Sequence, residues 1–300
     1  HLYFDPNKIQ HGWRQTTAQR MRIWKKGTLE LARNAVPALL ERTGTAADQI
    51  GGLTVVSSTG YDIPAIDVLL ARDYGMPASV RRAFIGHVGC HAAFEAIKFA
   101  VDSVAARPAE RSVIFSSEIC SAHFRSTDTS RTQVVSQALF GDGAAALMIG
   151  AGRPGDGPAI LRSHTEARFD HAEYITWVIN DDGFKLSLSP RLAPLISKCI
   201  AGFVDRLLAP LGLSLGDIAH WGIHPGGPNI IDVVGRELAL DSAHIAISKG
   251  VLADYGNCSA TTILLILDRI LKERRPRVGD YCVLIGFGPG VTIEGLVLRF

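Results

Sequence analysis

The chain has 300 residues, 47% of them hydrophobic, so it is long enough for one large or two fused globular units with a substantial core. Its 31 basic and 29 acidic residues give a formal net charge of +2, which argues against a protein that binds the phosphate backbone of nucleic acids. Apolar runs stay well short of the roughly 20 residues that a membrane-spanning helix needs, so we expect no membrane span.

The amino-terminal residues show no targeting signal. His1 to Pro6 lacks the charged-then-apolar order of a secretory signal and the composition of a transit peptide. A group of basic residues follows, which we interpret as the solvated face of a helix, with contact to an anionic ligand as the alternative. This group comprises Arg20, Arg22, Lys25 and Lys26.

Strand and helix patterns alternate through the first half of the sequence. Helices are predicted at 63–74 and 91–105, where apolar residues recur at helical spacing. The glycine- and proline-rich segment after Gly150 predicts a linker, and with it a division into domains 1–151 and 152–300. Strands are predicted where short apolar runs occur, at 53–57, 83–85, 112–116 and 144–149.

The second half repeats this alternation. Helices are predicted at 192–211 and 259–272, and another begins near Pro228. Strands are predicted at 159–164, 221–224, 281–285 and 291–298. Strand and helix alternation in both halves predicts an α/β fold in which sheets and helices form layers.

The cysteines are odd in number and widely spaced, which is typical of free thiols in a reducing compartment. No CxxC pair is present, so we expect no structural metal site. The chain is therefore predicted to be cytoplasmic. The five cysteines are Cys90, Cys120, Cys199, Cys258 and Cys282.

Three residues far apart in the sequence offer polar groups in glycine-rich or aliphatic surroundings. Cys90 stands between a predicted strand and a helix, where the helix end lowers a thiol pKa, although an isolated cysteine is also typical of a buried core. His224 ends a predicted strand ahead of Pro-Gly-Gly-Pro, so it either pairs with a thiolate or caps the strand. Asn257 either serves an oxyanion or caps the helix that follows. A thiol, an imidazole and a carboxamide together are the groups needed to attack an acyl thioester and stabilise its oxyanion.

The order of these residues, with further glycine-rich motifs, resembles the type III polyketide synthases, the chalcone and stilbene synthase family, over nearly the whole chain. The resemblance implies a thiolase-like fold of two related halves with layered α-β-α-β-α architecture. Segments 89–94 and 181–190 are most similar to the bacterial alkylpyrone and alkylresorcinol synthases. The matching motifs are Val88-Gly-Cys90, Gln137 to Ala146, His224-Pro-Gly-Gly-Pro228, Tyr255-Gly-Asn257 and Gly286-Phe-Gly-Pro-Gly290.

The resemblance also implies a role for each matching residue. Cys90 would carry the acyl group, and His224 would keep it ionised. His224 and Asn257 would hold the thioester oxygen while malonyl-CoA loses carbon dioxide. Phe140 would be the aromatic gatekeeper between a CoA tunnel and the catalytic cavity. The other positions implied to line the cavity or bind substrate are Ser58, Thr59, Cys120, His123, Ser136, Trp177, Leu186, Ser259 and Pro289.

Partners follow from the same resemblance. The substrates would be acyl-CoA and malonyl-CoA, with no metal and no cofactor. The family forms homodimers, and Ile63-Pro64 matches a loop whose apolar tip reaches into the partner's cavity. Family members carry several dozen further residues ahead of this start. Relative to their pattern, the first half lacks a first strand, a helix and basic residues that help to hold CoA.

The predicted function is therefore a type III polyketide synthase that loads an acyl-CoA starter on Cys90, extends it with malonyl-CoA and closes a pyrone or resorcinol-type ring. One alternative is a ketoacyl synthase that initiates fatty-acid synthesis, which uses the same three residues on the same fold. That group resembles His-Gln-Ala-Asn at the histidine, whereas this chain has His-Pro-Gly-Gly-Pro. A second alternative is a non-catalytic scaffold of the same fold.

Overall fold

A computed structural model describes residues 15–152 and 156–300 of the chain. The amino-terminal residues on which we expected no targeting signal, and part of the predicted linker, lie outside the described residues.

The described chain forms two compact units. The first contains residues up to 151 together with 176–187 and 258–261, and the second contains the remainder. Two segments from the second half of the sequence thus belong to the first unit. The division into two continuous halves at residue 151 stays a prediction.

Eight α-helices and ten β-strands build the two units in the described part of the chain. The helices are α1 (Thr17–Thr43), α2 (Ile66–Asp73), α3 (Ala92–Ala106), α4 (Arg131–Leu139), α5 (Leu192–Leu208), α6 (Pro228–Glu237), α7 (Ser242–Tyr255) and α8 (Thr262–Arg269). The strands are β1 (Ile50–Ser57), β2 (Arg81–Gly86), β3 (Arg111–Ile119), β4 (Asp142–Ile149), β5 (Ala159–Ala167), β6 (Ile175–Asn180), β7 (Gly183–Leu188), β8 (Ile218–Ile223), β9 (Tyr281–Gly288) and β10 (Thr292–Arg299).

The first unit is organised on a four-stranded sheet in the order β2-β1-β3-β4. β1 is parallel to β2 and β3, whereas β4 is antiparallel to β3. Nearly every residue of β1 is buried, as expected for a central parallel strand covered on both faces. α1 begins at a capping box formed by Thr16 and Gln19 and ends at Gly44 in the left-handed conformation. It packs Trp24 and Val36 into the core of this unit.

The second unit contains a four-stranded sheet in the order β5-β10-β9-β8. β8 and β9 are parallel, and β10 runs antiparallel to both β9 and β5. α5 places Ile196, Phe203 and Leu207 in the core beside this sheet. The strands β8-β9-β10 thus repeat the arrangement of β1-β3-β4, two parallel neighbours followed by an antiparallel strand.

Several elements differ from the prediction. The helix predicted over 259–272 is divided into a 3-10 turn at Ser259–Thr261, the helix α8 and a π-helical turn at Ile270–Arg274. α4, α7 and the β6–β7 hairpin were not predicted. No helix within the described residues is long and apolar enough to cross a membrane.

Candidate active site

Cys90 lies in the turn between β2 and α3. The strand ends at Gly86 and the helix begins at Ala92, so the thiol stands at the amino-terminal end of a 15-residue helix. All five cysteines lie within the described residues, and none of them forms a disulfide bond. Cys90 is partly exposed, whereas Cys258 and Cys282 are fully buried. Cys90 is therefore not a core cysteine.

The backbone ahead of Cys90 is held by Ser58. Gly89 has a φ of +89°, in the left-handed region that favours glycine. Its amide donates to Ser58 Oγ over 2.9 Å. Ser58 directly follows β1, so this hydrogen bond ties the Cys90 turn to the end of the central strand.

A buried carboxyl group holds Ser58 and Thr59 in turn. Glu118, fully buried on β3, accepts hydrogen bonds from the Ser58 amide over 3.0 Å and from the Thr59 hydroxyl over 2.7 Å. Burial raises the pKa of Glu118 to about 7, although its hydrogen bonds act in the opposite direction. Glu118 was not predicted from the sequence. The available signal was an acidic residue near the end of a strand of apolar residues and serines whose other charged residue is Arg111, at its start.

His123 links Thr59 to the β6–β7 hairpin. Its Nε2 lies 2.6 Å from the Thr59 carbonyl oxygen, and the Phe184 amide donates to its Nδ1 over 3.1 Å. These partners require a neutral ring with the proton on Nε2. Burial, with a smaller effect of the nearby guanidinium groups of Arg20 and Arg125, lowers the pKa of His123 to about 3.

Trp177 brings the hairpin against the same turn. Its indole Nε1 donates to the Ser58 carbonyl oxygen over 2.9 Å, and its ring meets the His123 ring edge-on at 5.3 Å. Leu186 lies on the other strand of the hairpin and is buried. The structure thus brings Ser58, Thr59, His123 and Trp177 together, with Leu186 on the same hairpin.

The remaining predicted residues of the first unit lie on three short segments. Ser136 is buried in α4, where its hydroxyl donates to the helix carbonyl of Thr132 over 2.8 Å, and the half-buried Phe140 directly follows this helix. Cys120 follows β3, and burial raises its thiol pKa well above the ordinary value. Ser259 is buried with a φ of +46°, and its hydroxyl bonds to the Glu118 carboxyl group.

His224, Asn257 and Pro289 belong to the second unit. His224 directly follows β8, is fully buried, and donates its amide to the Ile285 carbonyl oxygen on β9 over 2.8 Å. Asn257 is 1% exposed, and its Oδ1 accepts from the Thr262 hydroxyl over 3.3 Å. Since α8 begins only at Thr262, Asn257 is not the N-cap of that helix. Pro289 begins the turn between β9 and β10.

The interpretation of Arg20 as part of a solvated helix face is wrong. Arg20 is 3% exposed, and its guanidinium donates to backbone carbonyl groups. Arg22 and Lys26 are exposed, and Lys25 pairs with Asp62 at 2.6 Å. Trp24, one helical turn after Arg20 and buried on the same face of α1, was the available signal that this face is covered.

Comparison with known proteins identifies the family. The model of the chalcone and stilbene synthase N-terminal domain matches residues 2–153, and that of the C-terminal domain matches residues 164–300. The chain therefore belongs to the chalcone and stilbene synthase family, the type III polyketide synthases. It is a transferase of the class that condenses acyl groups with malonyl-CoA by decarboxylation, as predicted.

Curated relatives include bacterial enzymes of this family. The 3,5-dihydroxyphenylacetyl-CoA synthase of Streptomyces toyocaensis is 35% identical over 285 residues, which cover 92% of this chain and 73% of that protein. The alpha-pyrone synthesis polyketide synthase-like Pks18 of Mycobacterium tuberculosis is 32% identical over 94% of this chain and 73% of its own length.

Solved structures agree with these sequence matches. The polyketide synthase PKS-I of the brown alga Ectocarpus siliculosus superposes with a TM-score of 0.92 at 30% identity, covering 96% of this chain and 78% of that one. The 1,3,6,8-tetrahydroxynaphthalene synthase of Streptomyces coelicolor A3(2) gives a TM-score of 0.89 at 26% identity, covering 97% and 84%. The predicted thiolase-like α/β fold is thereby confirmed.

Proposed function

We propose that the chain loads an acyl-CoA starter on Cys90, extends it with malonyl-CoA and cyclises the product to a pyrone or resorcinol-type ring. The observation that carries the proposal is the place of Cys90, a partly exposed thiol in a hydrogen-bonded turn at the amino-terminal end of α3. The positive dipole end of a helix favours a thiolate there. The alpha-pyrone synthesis named for the mycobacterial relative supports the ring type.

In the proposed loading step, His224 accepts the proton of Cys90, and the thiolate attacks the thioester carbonyl carbon of the starter. The acyl–sulfur bond to CoA breaks, and the CoA thiolate leaves and is protonated. A new thioester on Cys90 results.

In the proposed extension step, His224 and Asn257 donate hydrogen bonds to the thioester oxygen of malonyl-CoA. Loss of carbon dioxide then leaves an enolate whose negative charge these donors stabilise. The enolate carbon attacks the acyl group on Cys90, and the thiolate is expelled. The lengthened chain remains on CoA and can be loaded again.

The proposed cavity residues mainly determine the shape of the cavity and contribute less to the making and breaking of bonds. Both ring nitrogens of His123 are occupied by backbone groups, so we assign His123 the role of a wall together with Trp177 and Leu186. Burial keeps the Cys120 thiol protonated at neutral pH, so it does not compete with Cys90 as a nucleophile. The other proposed contacts with substrate are Ser58, Thr59, Ser136, Ser259 and Pro289, with Phe140 as the gatekeeper.

We further propose a cytoplasmic homodimer that needs no metal or cofactor. Free thiols are typical of a reducing compartment. Ile63 is 87% exposed, which suits an apolar side chain that a second subunit covers. Its proposed place is beside the partner's cavity.

Mass spectrometry of the products from a panel of short and long acyl-CoA starters with malonyl-CoA tests the proposed reaction. Cys90→Ala should abolish every polyketide product, at least a thousandfold below the unaltered chain. Cys199→Ala is the matched control, because Cys199 lies on α5 with its thiol donating to a helix carbonyl group, and it should leave the products unchanged. Polyketide formation by Cys90→Ala would overturn the nucleophile assignment. Use of malonyl groups only from a carrier protein would support the ketoacyl synthase alternative.

A further inference from the structure

The β6–β7 hairpin forms a two-stranded sheet of its own, and its residues 176–187 belong to the first unit. These strands pair with each other, and contacts with α1 hold the hairpin on that unit. The Thr17 amide donates to the Asp181 carbonyl oxygen over 2.8 Å, the Gly183 amide donates to the Thr17 hydroxyl over 2.8 Å, and the Arg20 side chain adds further hydrogen bonds. The hairpin carries Trp177 and Leu186, two residues of the proposed cavity wall. The position of the hairpin therefore determines the position of the proposed cavity wall.

Arg20 of α1 joins the hairpin turn to the segment that carries His123. Its Nε donates to the Asp182 carbonyl oxygen over 2.8 Å. Its terminal nitrogen Nη1 donates to the Ala122 and Phe124 carbonyl oxygens over 2.6 and 2.8 Å. One buried guanidinium thus bonds to backbone on the hairpin and on both sides of His123.

The hairpin turn is also packed tightly against the Arg20 side chain. Gly183 has a φ of +109°, and a Cβ atom at this position would lie 2.4 Å from Arg20 Cδ. Only glycine fits both the conformation and the space. Arg125 adds a second guanidinium, which donates to the Asp182 carboxylate over 2.8 Å and to the Gly183 carbonyl oxygen over 3.2 Å.

The geometry of Arg20 matters more than its charge. The acceptors of its hydrogen bonds are neutral carbonyl groups on two separate segments, and a planar guanidinium reaches both at once. A lysine ammonium carries the same charge but is a single point, so it cannot span these acceptors in the same way.

We propose that Arg20 is a positioning residue that fixes the β6–β7 hairpin and thereby sets the length of the polyketide that the chain releases. This inference rests on the proposed function, since a chain growing beside Trp177 and Leu186 converts the position of the hairpin into product length. The hairpin is also connected to the Cys90 turn by two hydrogen bonds. The Trp177 indole donates to the Ser58 carbonyl oxygen, and the Gly89 amide, directly ahead of Cys90, donates to the Ser58 hydroxyl.

Hydrogen exchange and product analysis of Arg20→Lys and Arg20→Gln test the proposal. Arg33→Lys and Arg33→Gln are the matched controls, because Arg33 is an exposed arginine on the same helix. In the protein without substrate, both Arg20 variants should exchange the amides of 176–187 at least tenfold faster, while the α5 segment stays unchanged. With acyl-CoA and malonyl-CoA, the ratio of shorter to longer polyketides should change at least threefold. The Arg33 variants should alter neither measurement.

Gly183→Ala tests the same contact from the side of the hairpin and should produce the same two effects. It also replaces Arg20→Gln as the test if that variant fails to fold. Retention of slow exchange and of the product ratio in Arg20→Lys would overturn the proposal, because charge alone would then suffice. Exchange that becomes faster by the same factor in all segments would also overturn the proposal, because Arg20 would then stabilise the whole protein and not the hairpin in particular. Failure of the unaltered chain to make polyketide would overturn the proposed function and, with it, the link to product length. The exchange rates do not depend on that function, and they report separately whether Arg20 fixes the hairpin.

Discussion

At the scale of single residues, two buried titratable groups beside the Ser58–Thr59 turn affect stability in opposite directions as pH changes. The pKa of Glu118 is raised by burial from its ordinary value of 4.5 to about 7, so its stabilising contribution is full below pH 4.5 and is lost as the pH rises to about 7. The pKa of His123 is lowered by burial from 6.5 to about 3, so its contribution is present above pH 6.5 and is lost as the pH falls. Between pH 4.5 and 6.5 the two effects oppose each other.

Replacement of Glu118 should therefore reveal a pH dependence that the unaltered chain partly conceals. Relative to Glu118→Gln, the stability of the unaltered chain should decline by up to about 3 kcal/mol between pH 4.5 and 7 and then level off. Thermal unfolding of both proteins across this pH range measures the difference. Glu30→Gln, at an exposed position on α1, is the control and should run parallel to the unaltered chain. A stability difference that stays constant across the range would show that Glu118 does not titrate there.

At the scale of elements, short apolar runs located the eight strands of the two four-stranded sheets, but not β6 and β7. The strand predicted at 144–149 is Asp142–Ile149, and the helix predicted at 91–105 is Ala92–Ala106. The bounds of α1 were not predicted, although its basic residues were interpreted as a helix face, because its buried positions include Gly27 and Thr28 and its inner face has no clear apolar stripe.

The motif residues of the candidate site were found from the sequence, but the residues that support them were not. Cys90, His224 and Asn257 each stand in a short segment with its own pattern. Glu118 and Arg20 depend on partners about 60 and 160 positions away in the sequence, and local patterns carry no information on such partners. No pattern in the sequence of the β6–β7 hairpin indicates that the hairpin packs on the first unit.

β8, the strand that carries His224 at its end, offers an element-scale test. A Cβ atom at Gly222 would lie 2.5 Å from Leu284 Cδ2 and 3.0 Å from Ile266 Cγ2, so Gly222→Ala overpacks the strand on β9 and α8. We expect it to destabilise the protein by about 1–3 kcal/mol. Gly216→Ala is the control, because the nearest atom to its Cβ would be Ser214 Oγ at 3.8 Å, and it should change stability by less than about 0.5 kcal/mol. Denaturant unfolding measures both, and equal stabilities of the two variants would contradict the packing argument.

At the scale of the whole molecule, two similar units each contribute part of the proposed catalytic set. Cys90 follows β2 in the first unit, and His224 follows β8 in the second. Each residue comes after the carboxyl end of a parallel strand, where α/β proteins commonly place functional groups. The carboxyl end of a parallel strand thus supplies one proposed functional group in each unit, although β2 lies beside the repeated three-strand arrangement and β8 belongs to it.

The proposed homodimer adds a contribution from a second chain, and mixed dimers can separate it from effects within one subunit. Ile63→Trp places a larger side chain at the exposed loop and should shift the products of its own homodimer several-fold toward shorter polyketides. Val278→Trp, at an apolar residue that is 96% exposed, is the control and should leave the products unchanged.

In a mixed dimer of Ile63→Trp and Cys90→Ala subunits, purified through two different affinity tags, only the Ile63→Trp subunit retains its nucleophile. If Ile63 lies beside the partner's cavity, that active cavity receives the unaltered Ile63 of the Cys90→Ala subunit. The mixed dimer should then restore products of the original length at about half the activity per dimer. Shortened products from the mixed dimer would place Ile63 at the cavity of its own subunit, and failure of the two subunits to copurify would contradict the dimer itself.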